Sequence, residues 1–259
     1  MPAPLIILAG ATGDLGMRIA RALGRDGTPA RALVRSGADG AKLATLRQLG
    51  LEVVPVDMDN GDELRQACAG GTCVVSALSG LEPVIIDAQG RLLDAAVAAG
   101  VPRFIPSDYS IDFTRLPNGS NRNLDLRRRF TERLDAAPIR ATSIFNGAFA
   151  DMLGAQMPLI LFKQKRVLYW GDADQKMEFT TKDDTATFTA RAATDDQAPR
   201  ALHIAGAVAS ARDLAAVAKT VTGEQFKLFR PGGLGLLAGM IRIARLVAPQ
   251  PGELYSPWQ

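Results

Sequence analysis

The residues whose types and spacing carry chemistry begin close to the N-terminus. Gly10-Ala11-Thr12-Gly13-Asp14-Leu15-Gly16 stands between an apolar run, Leu5-Ile6-Ile7-Leu8, and a stretch of helical periodicity from Leu15 to Leu23. A glycine turn between strand and helix suits a pyrophosphate. Gly10 allows the tight turn, Gly13 lets the backbone approach the phosphates, and Gly16 lets the helix sit close on the sheet. Thr12, Asp14 and Leu15 complete the turn, and the free N–H groups of the helix start add donors and partial positive charge. The spacing is GxxGxxG. A glycine turn without a ligand is the weaker alternative, because both flanking elements are present.

An NAD-preferring site carries an acid about 20 residues beyond such a motif, at the end of the second strand. Here that strand ends Leu33-Val34-Arg35-Ser36. The Arg35 fork suits a 2′-phosphate, Ser36 can donate to it, and Lys42 can reach it from the next helix. The expected cofactor is therefore NADP(H), against the plainer reading of a solvated arginine. Asp57 either accepts from an adenine amino group or caps the following helix. Ala77, Leu78 and Ser79 follow the fourth strand, where they would lie beside the dinucleotide. Pro106, Ser107, Asp108 and Tyr109 follow the fifth, at the nicotinamide end, which makes Tyr109 a candidate proton donor.

The elements that must position these residues alternate. Strands are expected at 5–8, 31–34, 52–56, 72–77, 103–105 and 139–144, and helices at 15–23, 41–49, 63–68, 83–99 and 121–136. Apolar runs without alternation, separated by helices, mark a parallel sheet covered on both faces. The fold class is α/β, a Rossmann-type doubly wound parallel sheet with a smaller substrate-side α/β region. The expected domains are residues 1–146 and 147–259, packed closely. In the second half, 167–170 and 177–180 read as a hairpin or two short edge strands, with helices at 183–193, 211–221 and 234–246. Pro249 to Gly252 reads as extended, and nothing closes the chain after it, which leaves open that it stops short of a final element.

Composition narrows the function classes. The 259 residues include 30 basic and 27 acidic ones, a net charge of +3, so charge alone does not call for nucleic acid. One histidine and two cysteines are too few for a zinc site or a Ser-His-Asp triad. Cys68 and Cys73 read as reduced, and the expected compartment is the cytoplasm. No segment spans a membrane, because Arg242 and Arg245 interrupt the longest apolar region. His203, in Ala201-Leu202-His203-Ile204, reads as a half-buried packing residue.

The sequence resembles the NmrA-like and isoflavone-reductase-like branch of the atypical short-chain dehydrogenases/reductases. The likeness runs through Gly10 to Gly16, Val34-Arg35-Ser36, Phe104 to Tyr109, Asn123-Leu124-Asp125, Ser143 to Phe149 and Glu178 to Ala186. The resemblance implies either an NADPH-dependent reductase of aromatic or phenolic substrates or a non-catalytic NADP(H)-binding regulator. It assigns Gly10, Thr12, Gly13, Leu15, Gly16, Arg35, Lys42 and Ser79 to the cofactor, and Asn146, Gly147 and Phe149 to the nicotinamide and substrate pocket. The expected partner is a small aromatic molecule, with the chain a monomer or homodimer.

One position departs from that pattern. Reductases of the branch place a lysine on the helix before the sixth strand, and here the position is Arg127. No lysine lies between Lys42 and Lys163. An arginine can hold ribose hydroxyls but is a poor general acid, its pKa staying above about 12. Tyr109 lacks a lysine four residues on, so the YxxxK pair is absent too. The proton source is left to Tyr109, a water or another group. At least two members of the Arg127-Arg128-Arg129 run read as a solvated helix face.

Overall fold

The computed structural model describes residues 4–153, 159–247 and 252. The first elements are β1 (Ile6–Ala9), α1 (Asp14–Arg25), β2 (Ala30–Val34), α2 (Gly40–Gln48), β3 (Glu52–Pro55), α3 (Gly61–Cys68) and β4 (Cys73–Ser76). A π-helical stretch, Pro83–Ala88, runs into α4 (Gln89–Ala98), followed by β5 (Arg103–Ile105), α5 (Arg122–Asp135), β6 (Arg140–Ala141) and β7 (Ser143–Phe145). Then come β8 (Ala148–Phe149), β9 (Ile160–Leu161), β10 (Arg166–Leu168), β11 (Met177–Thr180), α6 (Lys182–Thr194) and β12 (Ala201–His203). The chain continues through β13 (Ala207–Ala209), α7 (Ala211–Thr222), β14 (Lys227–Phe229) and α8 (Leu234–Val247).

The described residues divide into two compact units, one within Met1–Phe145 and Lys182–His203, the other within Asn146–Thr181 and Ile204–Gln259. In the first unit six parallel strands follow the order β3-β2-β1-β4-β5-β6. This is the doubly wound order, which reverses between β1 and β4 and opens a crevice at their carboxyl ends. Ile6, Ile7, Leu8, Val74 and Val75 are fully buried, as unalternating strands covered on both faces must be. Leu64, Ile85, Leu92, Phe104 and Phe130 fill the core on the α3–α5 face.

The division differs from the boundary expected at 146, because residues 182–203 return to the first unit. α6 buries the small side chains Ala186, Thr189, Ala190 and Ala193, and packs against α1. Arg18 donates to Asp183 (2.6 Å), and Lys182 pairs with Asp14 (2.7 Å). β12 pairs in parallel with β7. The single strand expected at 139–144 is therefore two. Thr142 N–H still donates to Phe104 O on β5, but Ser143 N–H donates to Arg200 O, so the strand changes partner at that residue. Likewise the expected helix 83–99 begins as a π-helical stretch with Pro83 at its start.

The second unit holds two three-stranded sheets, β14-β10-β9 and β13-β11-β8. The hairpin expected from 167–170 and 177–180 does not form, since β10 and β11 belong to different sheets. Burial explains the choice. Val167 packs with Leu214, Ala218 and Phe226 in the core of this unit, and long-range pairing of β10 with β14 places it there. The 249–252 segment lies outside the described residues apart from Gly252. Among the described residues no helix is long and apolar enough to cross a membrane.

Candidate functional site

A cleft of about 680 Å³ opens on the first unit where the strand order reverses. Its floor is the glycine turn, with Gly10, Thr12 and Gly13 lining it. Gly10 has φ +79°, and a Cβ there would lie 2.6 Å from Ala77 O, so both the turn and the neighbouring strand end require glycine. Gly16, buried on α1, approaches even more closely, as a Cβ would stand 2.1 Å from Gly10 O. Gly13 is the N-cap of α1 and makes no side-chain cap hydrogen bond. The first N–H groups of that helix thus keep the donor capacity that an anion can use.

One wall carries Leu33, Val34 and Arg35 from the end of β2, and another carries Ala77, Leu78 and Ser79 beyond β4. Ser36 is not on the cleft wall, because Ala38 N–H turns back onto Arg35 O (3.1 Å) and leaves it exposed. Lys42 donates to Thr12 O (3.0 Å) and lies in an adjoining depression with Asp14 and Arg21. It thereby steadies the glycine turn. The Asp14 carboxylate is engaged by Lys182 and Arg18, whose hydrogen bonds hold it below the usual carboxylate range. Leu15 lies beside Gly16 in the first turn of α1, half-buried.

Asp57 does not cap α3. Asn60 caps α3 by accepting from Asp62 and Glu63 N–H, and Asp57 accepts from Asp59 N–H (2.9 Å) in its own turn. The acids on the cleft wall are Asp59 and Asp87; Asp59 is paired with Arg91, which also donates to Met58 O (2.8 Å). Sequence reasoning missed Arg91, since a single arginine on a helix face carries no local signal. Gln89 escaped for the same reason. It is fully buried and accepts from Ser107 N–H (3.0 Å), while Ser107 Oγ donates to Leu78 O (2.5 Å). Those two bonds fix the segment after β5, with Pro106 buried in it.

Arg127 is partly buried on α5. Its Nε donates to Ser107 O (2.9 Å) and its Nη1 to Asn123 O (3.0 Å), so it is tied to the β5 loop. Arg128 donates to Phe113 O and Leu116 O, and only Arg129 is exposed, paired with Glu82. The solvated face expected of this run is therefore one residue wide. The Tyr109 hydroxyl is buried beside Thr189, and burial pushes its pKa well above the ordinary value. A phenol so enclosed is not presented to a ligand, which argues against it as the donor.

Asp108 is fully buried, with Oδ2 accepting from Ser143 Oγ (2.7 Å) and Oδ1 without a hydrogen-bond partner. Ser143 Oγ also accepts from Arg200 (2.7 Å), which is paired with Asp135. Burial pushes the Asp108 carboxyl up to about 6, against the lowering effect of Ser143, Arg127 and Arg200. A raised carboxyl favours the native state fully below the unfolded value near 3.8, and that contribution is lost as pH rises through about 6. The difference amounts to about 3 kcal/mol. Asp108→Asn keeps an acceptor for Ser143 and cannot ionise. Its melting temperature relative to wild type should rise between pH 4 and pH 7, and a pH-independent difference would refute the assignment.

Asn146, Gly147 and Phe149 belong to the second unit. Thr180 Oγ1 donates to Asn146 O (2.7 Å), Gly147 has φ +65° with its Cα facing Glu178 O, and Phe149 pairs with Thr180 on β11.

The strand order, the glycine cradle and the uncapped helix start define a Rossmann-type protein. More narrowly, the chain belongs to the NmrA-like family, whose model matches residues 2–230. It is 31% identical over 213 residues to pinoresinol reductase 2 of Arabidopsis thaliana, covering 76% of this chain and 66% of that one. It is 30% identical over 212 residues to bifunctional pinoresinol-lariciresinol reductase 1 of Thuja plicata, covering 74% and 66%. The match thus spans just under two thirds of the length of these relatives. Among solved structures, AtPrR2 with NADP+ and (+)pinoresinol superposes with a TM-score of 0.82 at 25% identity, covering 94% of this chain and 83% of that one. An isoflavone reductase superposes with a TM-score of 0.80 at 21% identity over 96% and 84%, a likeness of fold.

Proposed function

We propose that this protein is an NADPH-dependent oxidoreductase that passes a hydride to a small aromatic, conjugated carbonyl or quinone-like substrate. The observation that carries the reading is the uncapped N-terminus of α1 over the Gly10–Gly16 turn, with Arg35 on the adjoining wall. The donors and the glycine cradle fit a pyrophosphate, and Arg35 fits a 2′-phosphate. The NADP+ complex of the 25%-identical structure supports this fit. Bound there, the nicotinamide supplies the hydride. The chain's own residues hold and orient it: the α1 N–H groups take the pyrophosphate, and the Leu78–Ser79 and Ser107 segments shape the way towards the end of β5.

The test is NADPH consumption by the purified protein against quinones, aromatic aldehydes and conjugated ketones. Saturable oxidation, faster with NADPH than with NADH, is expected. Failure to bind NADPH in a direct titration would overturn the reading. The attachment of Arg127 to Ser107 O, where the branch places a lysine, favours a second reading as an NADP(H)-binding sensor. Tight NADPH binding with no turnover across the panel would support that one instead.

A further inference from the structure

Resting on the oxidoreductase reading, we infer that His203, held by Asp112, is the proton donor to the reduced substrate. Three features of the first unit carry the inference. The first is position. β5, β6 and β12 run parallel with β7 in continuation of β6, so Ile105, Phe145 and His203 all lie at carboxyl ends, the edge at which ligands of open α/β sheets bind. Ser110, just past the β5 loop, bridges to Phe145, and Phe145 is the register partner of His203. At a strand spacing near 4.8 Å, the histidine backbone is roughly 10 Å from Ser110.

The second feature is the pairing. His203 Nε2 is 3.1 Å from Asp112 Oδ2. Arg115 reaches the same oxygen at 3.1 Å, and Thr114 N–H and Oγ1 donate to Oδ1. Burial alone would raise the Asp112 carboxyl, but the hydrogen bonds from Thr114 and His203 outweigh it and hold it below the usual carboxylate range. A carboxylate only accepts, so Nε2 donates to Asp112, and Nδ1 is the nitrogen that Asp112 does not engage. Asp112 and Arg115 are the charged groups beside the ring. β7 contributes Phe145, whose ring lies 5.1 Å from the imidazole and 5.4 Å from Phe113.

The third feature is access. The His203 side chain is 46% exposed, and the neighbouring Ile111 is an exposed apolar residue, whereas the Tyr109 hydroxyl is enclosed and Arg127 is tied to Ser107 O. In the step, the acceptor gains a hydride from NADPH, which is oxidised to NADP+. The substrate oxygen takes the proton from imidazolium Nδ1, whose N–H bond breaks as the O–H bond forms. Solvent then reprotonates the imidazole.

The chain contains one histidine, so tag-free protein gives one set of imidazole NMR signals. These signals should move when an acceptor turned over by the wild type is added to NADP+-loaded protein, and unmoved signals would overturn the assignment. His203→Gln should lower kcat about 100-fold, with the KM for acceptor and the Kd for NADPH within about 3-fold. Asp112→Asn should lower kcat by a smaller factor. Wild-type turnover with His203→Gln unchanged defeats this proposal alone. A wild type that binds NADPH and turns over no acceptor of the panel defeats the oxidoreductase reading and this proposal with it.

Discussion

Replacing Arg35 by alanine is expected to weaken NADPH binding by about 10- to 100-fold, while NADH binding falls far less. The magnitude is that of one charge-assisted, bidentate contact to a phosphate, worth about 1.5–3 kcal/mol. Arg35 is the basic residue on the β2 wall of the cleft, where a 2′-phosphate would stand, and Lys42 does not duplicate it, because its ammonium group donates to Thr12 O. NADH lacks the 2′-phosphate and has nothing to lose there. Fluorescence titration of both nucleotides with wild type and variant decides the matter. Equal losses for the two would show that Arg35 acts on the turn as a whole, and the NADPH preference would have to come from elsewhere.

The part of this site that was legible in the sequence is the part built by neighbours in sequence. Gly10, Gly13 and Gly16 lie between an unalternating apolar run and a helix, and Arg35 closes the next strand, so a local pattern states both the turn and its ligand chemistry. Strands β1, β2, β4 and β5 were legible for the same reason, as each is a short, largely buried run, and β3 was legible from its Val53-Val54 pair although its ends are exposed. What escaped is set by partners far along the chain. Nothing local says that residues 139–145 must change partner at Ser143, because the new partner is residue 200 and beyond. Gln89 reads as one more polar residue on a helix until Ser107 is brought onto it, 18 positions away. His203 meets Asp112 across 91 positions, so neither the histidine nor the aspartate announces the pair. The return of residues 182–203 to the first unit was hidden on similar grounds. The small residues of α6 carry weak periodicity of their own, and only the contact with α1 shows which core they serve.

Close backbone approach within the turn makes Gly16 the most sensitive residue of the cradle. Gly16→Ala should abolish measurable NADPH binding, with affinity falling about 100-fold or more, and should also lower stability. A Cβ at this position would stand 2.1 Å from Gly10 O, 2.8 Å from Gly10 C and 3.0 Å from Ala11 Cα. All three are backbone atoms, so no side chain can swing aside; the turn itself must move. Overpacking of this kind costs about 1–3 kcal/mol, or roughly 2–12 °C in melting temperature for a chain of this size. The binding loss should exceed what the stability loss implies, because the displaced atoms are those that shape the phosphate site. Gly40→Ala is the control. It begins α2, has a negative φ, and a Cβ there meets nothing within 4 Å. That variant should melt and bind as wild type does. If Gly16→Ala kept NADPH affinity, the approach of α1 to the turn would not be what forms the cradle, and the anion site would have to rest on side chains alone.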